Sequence, residues 1–273
     1  MASPRALTPK TYNGADLHVA LPPGLPSAFT RLAPFDDWCR SGGGLSLMYH
    51  KLGPRPRGVR LKGLYVPERL FRQQLQDLKR AGYAAVSMDQ LISGTDAQRV
   101  ALTFDDGFVN VLTHGLEPLR EAGFRAIQFL VPDLLGKTNV WEQAQGEVSE
   151  RLMDAVQIRE WMAAGHEIGA HTCTHPWLTR IPLADAREEI VASKARLEDV
   201  FGSPIRHFCY PYGDWNPAVR DLVEEAGFVT ACTTEPGLNR PEGDPYRLRR
   251  LTARYASRNW ANVWRSLRGL WGG

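Results

Sequence analysis

Long hydrophobic runs are missing from this 273-residue chain. No window approaches 18 apolar residues, so no membrane-spanning helix is expected. The first 45 residues carry prolines at 4, 9, 22, 23, 26 and 34 and no apolar run long enough for a secretory core. A soluble cytoplasmic protein is therefore the expectation. Charge of one sign is not in excess either. Thirty-three Lys and Arg face 30 Asp and Glu, a net +3 spread along the chain, which gives no reason to expect a nucleic-acid partner. Cysteine is scarce. Cys39, Cys173, Cys209 and Cys232 form no C-x-x-C, which excludes a zinc ribbon and a redox pair and reads as reduced thiols of an intracellular protein.

Several catalytic signatures are absent as well. His166-Glu167 followed by His171 is one residue too long for H-E-x-x-H, so no zincin helix is expected. Gly136-Lys137-Thr138 ends like a phosphate-binding loop, but Val131 stands where the first glycine belongs. There is no G-x-S-x-G elbow and no internal repeat.

What is present is alternation. Residues 1–44 are rich in Pro and Gly and read as an N-terminal arm. The remainder, 45–273, reads as one domain in which short apolar runs alternate with amphipathic stretches. Strands are expected at Leu45–His50, Arg99–Phe104, Ala126–Val131, Glu167–His171, His207–Tyr210, Phe228–Cys232 and Arg247–Leu251. Helices are expected at Pro67–Ala81, Asn110–Ala122, Gln157–Ala164, Leu183–Phe201, Asn216–Ala226 and Arg258–Leu270. The last of these puts Trp260, Val263, Trp264, Leu267 and Trp271 on one stripe, read as a seal against the domain. This is the pattern of an α/β protein, a distorted (β/α) barrel of about seven parallel strands. In such barrels the chemistry lies where strands end. The expected ends collect His50, Asp105 and Asp106, His171 and His175, and Tyr210-Pro211-Tyr212 at one mouth.

Adjacent carboxylates at a buried strand end repel each other unless a cation or proton compensates. A divalent ion on one leaves the other free as a base. In His171-Thr172-Cys173-Thr174-His175 the imidazoles are four residues apart and would share a face if the turn were helical. Asp106, His171 and His175 together form a two-His, one-carboxylate donor set that leaves positions open for water and substrate. Zn²⁺ suits such a set first, with Co²⁺, Ni²⁺ or Mn²⁺ as alternatives. Cys173 reads as packing.

Three stretches then take on a pattern: Thr103–Gly107, Gly165–His175 and Phe208–Gly213. Together they resemble the polysaccharide deacetylase family, the NodB homology domains of carbohydrate esterase family 4. Leu47-Met48-Tyr49-His50 and the helix after Tyr65-Val66-Pro67 are similar to its exopolysaccharide-deacetylating branch. The resemblance spans about 45–255. It implies a distorted barrel, an N-acetylated saccharide substrate and removal of the N-acetyl group. By motif position it implies that Asp106, His171 and His175 bind the metal, Asp105 is the general base, and the Tyr212 N–H helps hold the oxyanion.

The chain departs from that pattern twice. Cys209 replaces the arginine expected before the Pro-Tyr turn, and no histidine follows His207, where a late Leu-x-His should supply the acid. Arg247-Leu248-Arg249-Arg250-Leu251 occupies that region. His50, at a strand end of the same mouth, is the candidate acid. Trp177, Trp215 and Tyr210 are the candidate saccharide contacts. Two alternatives stand beside a deacetylase: a hydrolase of another non-peptide amide such as a cyclic imide, and a catalytically silent saccharide-binding barrel. The oligomeric state is left open.

Overall fold

Apolar runs covered on both faces form the strands. In chain order these are β1 (Leu45–Tyr49), β2 (Lys51–Leu52), β3 (Tyr65–Val66), β4 (Ala84–Ala85), β5 (Arg99–Phe104), β6 (Ile127–Leu130), β7 (Glu167–Ala170), β8 (His207–Cys209), β9 (Thr230–Cys232) and β10 (Leu251–Thr252). Between them lie α1 (Glu68–Arg80), α2 (Met88–Ser93), α3 (Val109–Ala122), α4 (Val140–Gln143), α5 (Ala155–Ala163), α6 (Leu183–Phe201) and α7 (Pro217–Glu225). The computed structural model describes residues 43–253 apart from 81, 95–97 and 144–145. The expected helix Arg258–Leu270, its tryptophan stripe, Cys39 and the arm up to residue 42 lie outside the described residues.

The main sheet is parallel and curled, in the order β10-β1-β5-β6-β7-β8-β9, with β4 pairing on β5. It is the expected distorted (β/α) barrel. One short segment draws its two ends together. Leu248 bridges Cys232 of β9, and three residues later Leu251 pairs with Leu47 of β1. Residues 248–252 therefore stitch the first strand to the last, and Arg250 sits at the seam. The expected strand Arg247–Leu251 starts later than its sequence suggests, because Pro245–Arg247 is a 3₁₀ turn.

Alternation along each strand sorts the core. Ala101 on β5, Ile127 and Phe129 on β6, Cys209, Cys232 and Leu248 pack together inside the curl. Val100, Leu102 and Phe104 face the helices instead, where Tyr49, Phe71, Phe104 and Trp161 form an aromatic cluster with ring centroids 5.1–6.1 Å apart. Gly169 admits the close approach of β7 to the interior, since a Cβ there would lie 2.7 Å from the Phe129 ring. Among the described residues, no helix is long and apolar enough to cross a membrane.

Candidate active site

Each site loop leaves the sheet just past a ladder bond. The Asp105 N–H donates to the Tyr49 carbonyl (3.0 Å), that of His171 to Leu130 (2.9 Å), and that of Tyr210 to Cys232 (3.1 Å). The ladder carries the chain to the C-terminal edge of the sheet, and there it turns sharply. Asp106, Thr172, His175 and Tyr212 have φ of 77°, 63°, 68° and 61°, the only positive values among described non-glycine residues. All four belong to the three motif loops. Such conformations cost about 1–3 kcal/mol each and concentrate where function demands a particular aim. A helical turn at His171–His175 would put both imidazoles on one face; the structure has a loop there instead. Two left-handed residues, not a helical repeat, bring the imidazoles together.

His171 Nε2 and His175 Nε2 lie 3.4 and 3.3 Å from the same oxygen of Asp106, and all three side chains are buried. That oxygen and His175 Nδ1 have no hydrogen-bond partner. His171 Nδ1 sits 2.7 Å from the Cys209 carbonyl, which can only accept, so Nδ1 carries a proton and Nε2 is the atom turned to Asp106. Three lone-pair groups crowded into a dry pocket, with a buried oxygen left over, fit a divalent cation. The donor set is the one Zn²⁺ takes in open sites. Burial opposes charge on Asp106, yet the two facing imidazoles hold its carboxyl well below the usual range. Burial also works against a charged His171, but Cys209, Asp106 and Asp105 outweigh it and push its pKa up. His175, where burial prevails, is pushed down.

The loop is braced from behind. The Glu189 carboxylate on α6 accepts from the N–H of Cys173 (2.8 Å), the N–H of Thr174 (2.9 Å) and the Thr174 hydroxyl (2.7 Å). Thr172 Oγ1 accepts from the His175 N–H at 3.0 Å. In front, the His175 ring stacks on Trp141 (centroids 4.4 Å, 20°) and meets the Tyr212 ring edge-on at 4.5 Å. Cys173 is buried, off the site.

Asp105 continues the inward alternation of Ala101 and Thr103 and meets a residue that sequence reasoning left unassigned. Arg250 is 1% exposed and donates to both carboxylate oxygens, Nη1 to Oδ1 at 2.7 Å and Nη2 to Oδ2 at 2.8 Å. Its remaining donors reach the Thr233 carbonyl (2.9 Å), Thr103 Oγ1 (3.0 Å) and Cys209 Sγ (3.1 Å). The guanidinium missing at position 209 thus arrives from the barrel seam, and the small thiol leaves room for it. Burial raises the Cys209 thiol to about 11, so it stays neutral. Burial also opposes charge on Asp105, but Arg250 and His50 outweigh it and keep the carboxyl below its ordinary value. His50 Nε2 is 3.8 Å from Asp105 Oδ2.

The candidate saccharide contacts fare unevenly. Tyr210 is fully buried and donates its hydroxyl to the Tyr246 carbonyl, so it has no surface for a ligand. Trp177 is sandwiched between Tyr212 (4.0 Å, 4°) and the Arg180 guanidinium (4.0 Å), which leaves its edge free but not its faces. Trp215 is half-buried; its indole N–H donates to Glu235 and Arg247 covers one face.

Paired carboxylates and two imidazoles at the mouth of a parallel-strand barrel define a barrel hydrolase. A polysaccharide deacetylase family model matches residues 93–231, half of the chain, and the chain belongs to that family, whose members hydrolyse N-acetyl amides. It is 24% identical over 212 residues to a putative polysaccharide deacetylase, YxkH, of Bacillus subtilis, covering 75% of this chain and 69% of that one. It is 32% identical over 139 residues to a chitooligosaccharide deacetylase of Sinorhizobium fredii, covering 50% and 57%. Among solved structures, IcaB from Ammonifex degensii superposes with a TM-score of 0.68 at 25% identity, covering 77% of this chain and 91% of that chain.

Proposed function

We propose that the chain is a metal-dependent N-deacetylase that frees the amine of an N-acetylated amino sugar in a saccharide, with Asp106, His171 and His175 holding the ion. One observation carries this reading: two imidazole nitrogens converge on a single buried, unsatisfied carboxylate oxygen beside a second, separately clamped carboxylate. The name of the Sinorhizobium relative supports the substrate class. A divalent ion bound there supplies Lewis acidity, lowering a water's pKa to about 7 and polarising the acetyl carbonyl.

The chain's own residues do the rest. Asp105, held as a carboxylate by Arg250, accepts the proton of the attacking water. The Tyr212 N–H, presented by a left-handed turn, donates to the oxyanion; removing a donor of this kind costs about 3–4 kcal/mol. His50 protonates the departing amine as the C–N bond breaks, and acetate leaves with the water oxygen. Its position 3.8 Å from Asp105 supports that role in a chain with no histidine after His207.

Acetate release from N-acetylchitopentaose tests the reading. Chelation should abolish release and Zn²⁺ restore it. Asp106→Ala should lose both metal and turnover, and Asp105→Asn should keep metal but lose turnover. His50→Asn should keep metal and lower kcat by about 100-fold. Release that survives exhaustive chelation sinks the assignment.

A further inference from the structure

The near-balanced charge of the sequence is segregated by the fold. Two loops leave the C-terminal edge of the sheet beside the site, residues 51–64 after β1 and His50, and residues 137–151 after β6. The second carries Trp141 onto His175. Together they hold seven basic side chains and three acidic ones. Every one of those acids is turned to internal work. Glu142 accepts from the buried Lys51 ammonium (2.9 Å) and from the Asn139 amide. Glu147 accepts from the backbone N–H groups of Arg60 (3.0 Å) and Val148 (2.9 Å). Glu150 accepts the Tyr65 hydroxyl (2.6 Å).

Five of the seven bases face water with no acid paired to them among the described residues: Arg55, Arg57, Lys62, Lys137 and Arg151. Arg180 adds a cation to the rim of the neighbouring loop, over Trp177. Pro54 and Pro56 restrict the first loop, and Glu147 ties its far end to the second loop, which carries Trp141 onto His175.

We propose that this rim selects N-acetylated saccharides carrying fixed negative charge, carboxylate or phosphate, within a few sugar units of the reacting acetamido group. The inference deepens the deacetylase reading and rests on it for the reaction. Seven cations against three acids leave the two loops with a net positive charge, and a neutral glycan offers nothing to offset it; an anionic one does. An anionic membrane would also be attracted. The exposed large apolar side chains of the two loops are Leu61 and Val140, too few and too small for an inserting face.

The test compares two hexasaccharides by calorimetry: neutral N-acetylchitohexaose and a hyaluronan fragment in which glucuronate alternates with N-acetylglucosamine. Acetate release from each is followed separately. The full chain should bind the acidic probe about tenfold tighter at low ionic strength and lose that preference near 0.5 M salt, where the screening length is about 4 Å. The triple variant Arg55→Gln, Arg57→Gln, Lys62→Gln should lose the preference while keeping its affinity for the neutral probe and its melting temperature. Equal affinities at low salt would overturn the inference. So would a preference that survives in the variant, or tight binding to phosphatidylglycerol vesicles with no choice between the sugars. Preference without acetate release would support the rim's selectivity and count against the deacetylase reading instead.

Discussion

Arg250 grips both oxygens of Asp105 from the opposite end of the chain, and Cys209 lies against the same guanidinium. The clamp fixes the carboxylate's plane and keeps it ionised. Lysine at 250 keeps the charge but has one head group where the fork had two. Arg250→Lys should therefore lower kcat by about 10–100-fold with metal content unchanged. Arg250→Met should lower it further and destabilise the fold, because it leaves a buried carboxylate unpaired. If what matters is a guanidinium beside Asp105 and not its strand of origin, Cys209→Arg in the Arg250→Met background should recover part of the lost kcat. Steady-state acetate release and thermal melts of the three variants decide it. A double variant no better than Arg250→Met would show that the seam position is essential.

Much of this site is written locally and some of it is not. Arg99–Phe104 announces a buried strand by composition, and the carboxylates after it and the imidazoles at 171 and 175 are visible as motifs. Helix ends were legible where glycine marks them, as at Gly123 and Gly202, both left-handed C-caps. The capping box of α2, Ser87 with Gln90, is likewise a local signature. Arg250 had no local signature, because its role comes from the register that lets 248–252 join β9 to β1. The loop form of 171–175 was hidden too, since left-handed backbone at the β-branched Thr172 runs against its preference and is held by Glu189 and the tertiary frame.

The Lys51–Glu142 pair ties the segment after His50 to the helix that carries Trp141. Lys51 is fully buried and lies 4.4 Å above the Phe108 ring. Lys51→Met should destabilise by about 3–5 kcal/mol in urea unfolding, since it strands a buried carboxylate, and Lys51→Met with Glu142→Leu should recover most of that loss. Trp141 emission should shift in the single variant. A Lys51→Met protein as stable as wild type would show that the pair has no such role.

His166 gives the fold a pH dependence unrelated to catalysis. Burial, with Arg125 nearby, lowers its pKa to about 4, and the ring packs tilted against Trp161 with centroids 4.2 Å apart and Nδ1 unpartnered. Unfolded, it titrates near 6.5. Between about 4 and 6.5 the unfolded chain takes a proton that the folded one refuses, so this contribution is complete above 6.5 and is lost as pH falls. His207, also lowered to about 4 by burial, acts in the same sense. The melting temperature should drop by about 5 °C or more from pH 7 to pH 4.5. His166→Phe, which keeps an aromatic ring against Trp161, should flatten part of that slope. An unchanged slope would show that His166 titrates alike in both states.

If the site holds the proposed ion, Glu189 should separate holding the metal from holding the fold. Its carboxylate accepts three hydrogen bonds from the loop between the two imidazoles, yet it lies on α6 at the surface, outside the apolar core. Glu189→Gln retains one acceptor oxygen and loses the charge-assisted bonds, so the left-handed turns at Thr172 and His175 lose their brace. The unfolding free energy should change by about 1 kcal/mol, whereas Zn²⁺ affinity, read by competition with a chromogenic chelator, should weaken by about 10–100-fold. Glu189→Ala should go further in the same direction. Loss of stability in proportion to loss of affinity would make Glu189 an ordinary packing contact; loss of affinity alone would show that the loop's strained geometry is kept for the ion.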